Sequence, residues 1–189
     1  MTPLSHALKI PILIIATVLS VILLFSTAWA DPAADFENKV KEWATECRTE
    51  VITQFELLVS SGRISMAQMF DTFYIPIPNT TPQKYRTQYD TLSDEAIQQI
   101  LDKYLAKDPK LFFVVAVDRN GYVPTHNSKA RDRGKRLFND RTGLAAAHNT
   151  EPFLVQKYFR DTGETIYDLS VPLFIHKKHW GAIRFGYKP

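Results

Sequence analysis

Cysteine is almost absent from this chain, with Cys47 the only one among 189 residues. No disulfide can form within the chain, and stability has to come from packing. The same scarcity excludes haem attachment through C-x-x-C-H and any zinc site built on several cysteines. Glycine is also scarce, at seven residues, and there is no phosphate loop and no glycine-rich dinucleotide turn. G-x-S-x-G and H-E-x-x-H are missing too, and Cys47 has no activating base nearby in sequence, so the chain reads as a non-enzyme. Charge of one sign is not in excess: 23 basic and 20 acidic residues leave +3, too mild for a nucleic-acid partner.

Charge is wholly missing between Ile10 and Ala30, a run of 21 residues that follows Lys9 and ends on Ala28-Trp29-Ala30. A short basic start, an apolar run and a small-x-small ending make residues 1–30 an export signal. Two fates are open, cleavage after Ala30 or retention as a single membrane anchor, and the small-residue pattern favours cleavage. Either places residues 31–189 in an extracytoplasmic compartment, the periplasm of a bacterium, as one domain of ordinary size.

From Ala33 to Ser60, Phe36, Val40, Trp43, Cys47, Val51, Phe55 and Leu58 recur every three or four residues, which predicts one long amphipathic helix stopped by Gly62. Its stripe suits a core face or a homodimer seam. Pro76, Pro78 and Pro82 impose an extended loop, after which a second helix is expected from Pro82 to about Ala106. Leu111 to Val117 reads as a buried strand, Asp118-Arg119-Asn120-Gly121 as a hairpin turn, and Tyr122 and Val123 as the start of the return strand. A basic loop feeding a short helix fills residues 127–150. Strands follow at 152–160, 165–175 and 179–187, with turns at Asp161-Thr162-Gly163 and His176-Lys177-Lys178. The sum is an α+β fold: a long N-terminal helix and a second helix packed on a five-stranded antiparallel sheet.

FFVVAVDRNGY at 112–122, VPTHN at 123–127, KRLFNDRTGLAAAHNTEPFLVQKYFRDTGE at 135–164, LSVPLF at 169–174 and HWGAIRFGY at 179–187 carry a family resemblance. So does SGRISMAQMFDTFYIPIPNTTPQKY at 61–85. Together they resemble the extracytoplasmic sensor domain, of single Cache type, of bacterial methyl-accepting chemotaxis receptors. The resemblance implies a PAS-like sheet and a small-molecule ligand held between that sheet and the connection 125–150. It also implies a role in signal transduction or chemotaxis through a membrane receptor or sensor kinase. Two features depart from it: Ser128 to Gly134 makes a shorter connection than those receptors have, and no signalling module follows Tyr187.

The candidate ligand-binding residues are Tyr122, His126, Arg136, Asp140, Arg141, Tyr158 and Asp168. Arginines there suit a carboxylate, because a planar guanidinium donates two parallel hydrogen bonds. Asp140 and Arg141 equally suit mutual pairing or a helix cap. His176 and His179 flank a Lys-Lys turn and read as solvated rather than metal-binding. No cofactor is expected; the alternative is noncovalent haem b in a gas or redox sensor, with His126 as axial ligand and Met66 or Met69 as the sixth.

Overall fold

A computed structural model describes residues 31–159 and 164–189. The export segment and the turn expected at Asp161-Thr162-Gly163 lie outside the described residues. Pro32–Pro189 forms one compact unit.

The long helix is present as α1, Pro32–Ser60, and it buries Phe36, Val40, Ala44, Cys47, Val51, Phe55 and Leu58 along one stripe. It stops where the periodicity stops: Gly62 takes a left-handed φ of 73° and donates its N–H to the Val59 carbonyl at 3.1 Å. A short α2, Met66–Met69, follows behind a capping box made by Ser65 and Gln68.

The second helix is shorter than its apolar pattern suggests. Ile75–Ile77 (β1) and Lys84–Arg86 (β2) instead pair as a small antiparallel ribbon, and α3 runs only over Asp90–Leu105. Local bonds compete with helix here: the Tyr85 N–H donates to the Lys135 carbonyl at 2.7 Å. The Asp90 carboxylate accepts the N–H and hydroxyl of Thr87 at 3.0 and 2.7 Å.

The strand Leu111–Asp118 (β3) and the turn after it appear where the sequence places them, but the hairpin does not. Asp118 Oδ1 accepts the N–H groups of Asn120 and Tyr122 at 2.9 and 3.0 Å. These bonds close the turn on the Asp118 side chain and steer the chain off β3. Tyr122–Val123 (β4) therefore pairs with Arg136–Leu137 (β5), and among the described residues the return chain pairs with β3 at one isolated bridge, between His126 and Val115. A 3₁₀ segment, Ser128–Arg133, and α4, Arg141–Ala147, complete the connection. Then come β6, Leu154–Phe159, β7, Thr165–Ile175, and β8, Lys178–Tyr187, the last two joined by a turn with His176 and Lys177 at positive φ.

The main sheet thus has four strands rather than five, in the order β3-β8-β7-β6, all antiparallel. Its two faces differ. One packs α1 and α3 through Val114, Ala116, Leu169, Val171, Ile183 and Phe185. The other holds a small cluster of Val115, Val117, Val123, Ala147 and Ala182, flanked by Phe113 and Phe138. Among the described residues no helix is long and apolar enough to cross a membrane.

Candidate ligand-binding site

Between that second face and the connection lies a cavity of about 550 Å³. β3 contributes Phe112, Phe113 and Val115, and β4 contributes Val123. An irregularity in the β3–β8 register between Leu111 and Phe113 breaks strict alternation, so that two consecutive phenylalanines reach the same space. Gly186 makes room for the Phe113 ring, because a Cβ there would stand 2.1 Å from Phe113 Cε1. Ile166 and Arg184 rise from β7 and β8, Tyr158 from β6, and His126, Ala130, Arg133, Phe138, Asp140 and Thr142 come from the connection.

The connection is fastened along one edge. Asp94, Gln98 and Asp102 stand four residues apart on α3, hence on one helical face. Asp94 accepts from the Thr125 hydroxyl at 2.7 Å and from Lys135 Nζ at 2.8 Å. Gln98 donates to the His126 carbonyl at 3.2 Å and accepts from Arg131 at 2.8 Å, and Asp102 accepts the Ser128 N–H at 2.7 Å. The same helix contacts α1 through Tyr104, whose hydroxyl donates to Glu50 at 2.7 Å, and through the Lys103–Glu50 ion pair.

Of the residues singled out from sequence, His126, Asp140 and Tyr158 line the cavity. Asp168 is fully buried and stands behind Arg184, whose Nη2 makes an ion pair with Asp168 Oδ2. Burial opposes the Arg184 charge, but the Asp168 carboxylate more than offsets it and holds the guanidinium pKa above its ordinary value. Arg136 stacks its guanidinium over Phe138, 5.1 Å from the ring centroid. Arg141 is exposed and does not line the cavity. Asp140 caps α4, accepting the Gly143 N–H at 2.9 Å. Tyr122 belongs to the helix-side core, where its hydroxyl donates to the Tyr85 carbonyl and to Asp90 at 2.9 Å.

His126 is 6% exposed, and its Nδ1 is buried without a hydrogen-bond partner. Burial, helped by the Arg133 charge, pushes its imidazole down to about 4, so it is neutral at pH 7. Met69 is buried in the core against α1 and lends its carbonyl to Trp180 Nε1 at 2.9 Å, and Met66 packs on the same core. Neither methionine lines the cavity, so His126 has no methionine opposite it. Among the described residues no three His, Cys, Asp or Glu side chains gather as a metal site.

Sequence reasoning missed Arg184, Arg133, Phe113 and Phe138. Arg184 had a usable signal. It sits between Ala182 and Gly186 on one face of an otherwise apolar strand, and a charge there requires a buried partner. Phe138 had none, because its place depends on the chain path after β5.

No family model matches the chain, and no curated protein matches it. Among solved structures it is similar to the extracellular ligand binding receptor from Desulfohalobium retbaense DSM5692. That likeness has 15% identity and a TM-score of 0.42, and it covers 78% of this chain and 24% of the receptor. The chain spans about a quarter of that receptor's length.

Proposed function

We propose that residues 31–189 are an extracytoplasmic sensor domain of single Cache type that binds a small organic ligand and acts through a membrane partner. The observation that carries this reading is the cavity of about 550 Å³ between the sheet and its connection. Its volume falls within the range of small-molecule sites, and its walls join apolar side chains to the polar groups of His126, Arg133, Asp140, Thr142, Tyr158 and Arg184. The Asp94, Gln98 and Asp102 contacts join the connection to α3 and thence to α1, a route by which occupancy reaches a helix able to meet a partner or a second copy. The resemblance of its motifs to those of chemotaxis receptors supports the sensor role, and the export signal read from residues 1–30 supports the periplasm.

A thermal-shift screen of purified residues 31–189 against metabolites tests the reading, since a ligand that binds only the native state raises apparent stability. Hits that vanish in Ala130→Trp, which fills the cavity from the connection, would support it. Hits indifferent to that change would place binding elsewhere.

The second reading, a haem b sensor, rests on the neutral His126 imidazole in the cavity wall, since a neutral imidazole is the form that ligates iron. An absorption spectrum with and without added haemin checks it. A stoichiometric Soret band lost in His126→Ala would put this reading first.

A further inference from the structure

The cavity has a sign, a surface chemistry and a size, and the three together narrow what it holds. The sign comes from the orientation of the buried ion pair. Arg184 lines the cavity while Asp168 stands behind it, fully buried. Asp168 takes the Nε and Nη2 donors, which leaves Nη1 outside the ion pair. At the rim Arg133 is exposed, and the one carboxylate in the lining, Asp140, accepts the Gly143 N–H at the start of α4 and keeps its charge within electrostatic reach of Arg184. The lining therefore sets two guanidinium groups against one carboxylate, and a ligand carboxylate suits that excess of positive charge.

The surface chemistry comes from rings. Phe112 and Phe113 on β3, Tyr158 on β6 and Phe138 on the connection all face the space. Phe113 is held flat against β8 by the missing Cβ of Gly186, and Arg184 lies 5.9 Å from its centroid. The size separates short acids from larger ones: a two- or three-carbon acid on Arg184 leaves most of about 550 Å³ as water against phenylalanine, valine and isoleucine.

We infer that the site takes a planar aromatic monocarboxylate, its carboxylate on Arg184 and its rings between Phe113 and Phe138. This names the ligand class of the site proposed above and rests on that proposal.

The test is calorimetric titration of residues 31–189 with 2-naphthoate, with its uncharged analogue 2-naphthamide and with acetate. The expected order is naphthoate tightest, naphthamide at least about tenfold weaker and acetate at least about a hundredfold weaker, in line with loss of a charged hydrogen bond and of ring burial respectively. Arg133→Ala should weaken naphthoate several-fold. Arg184→Met alone leaves Asp168 buried and unpaired and can unfold the domain, so the paired change Asp168→Leu with Arg184→Met is the variant of choice. It should abolish the preference of acid over amide. Equal binding of acid and amide overturns the inference, and so does tighter binding of acetate, while both leave a ligand site in place. No binding of these probes, with a metabolite hit lost in Ala130→Trp, overturns the ligand class alone. No binding together with a metabolite screen free of hits overturns both.

Discussion

On the helix side of the sheet Val114, Ala116, Leu169, Val171, Leu173, Ile183 and Phe185 are fully buried against α1 and α3, and the buried carboxylate of that face, Asp118, stands at the end of β3 with the Tyr74 and Tyr89 hydroxyls on it. On the cavity side Asp168, Ser170 and Arg184 are buried as well, next to Val115, Val117 and Ala182. The strands are the same, and the alternation of side chains sends their residues to the two faces. What differs is what the second layer offers. Helices with continuous apolar stripes can fill one face to native density, whereas a connection of short elements leaves space over the other and brings polar groups to it.

The largest test of that contrast is Asp168→Ala. Removing one member of a buried ion pair leaves Arg184 uncompensated, and a loss of about 3–5 kcal/mol is expected in urea unfolding. The paired change Asp168→Leu with Arg184→Met should recover most of it. Next come two truncations on one strand, Leu169→Ala toward the helices and Ile166→Ala toward the cavity. The first opens a void in a filled core and should cost about 3 kcal/mol. The second enlarges a space that already exists, so the transfer contribution alone, about 1–2 kcal/mol, is expected.

His126 gives a pH test of the cavity side. Its folded pKa lies below the unfolded value, so between about 6.5 and about 4 the unfolded chain holds more protons, and stability falls as pH falls through that window. Burial of Asp90 and Asp118 raises their pKa values and acts in the opposite direction, so the comparison has to be made against a variant. Wild type should lose on the order of 2–3 kcal/mol relative to His126→Gln between pH 7 and pH 4, read from unfolding curves at each pH. Equal pH profiles would mean that the imidazole is solvated in both states. The smallest effect, about 1 kcal/mol, is expected for Asp140→Ala, which removes the cap of α4 without touching the helix-side core.

Much of the helix side was legible in the sequence. The stripe from Phe36 to Leu58 and its stop at Gly62 follow from periodicity and from one residue type, and β7 and β8 fall within one residue of their expected limits. Reading failed where side chains capture backbone groups. Tyr85 looked helical by spacing, yet its N–H bonds to the connection, and the Asn-Gly turn looked like a hairpin until the Asp118 carboxylate diverted the strand after it. The site was half legible for the same reason. His126, Asp140 and Tyr158 lie where strand order places them, while Tyr122 follows the diverted strand into the other core. Arg133 and Phe138 depend on the path of a connection that no periodicity describes.

Asp94, Gln98 and Asp102 hold the connection at three successive turns of α3. An edge fixed at three successive turns keeps a straight line along the helix. The opposite margin is tied as well, by Gln156 Nε2 to the Thr142 carbonyl at 3.0 Å and by Asn149 Nδ2 to the Ser170 carbonyl at 3.2 Å. The connection is thus a roof stitched along both sides, and the shape of the space beneath it is set by those seams rather than by the apolar core across the sheet.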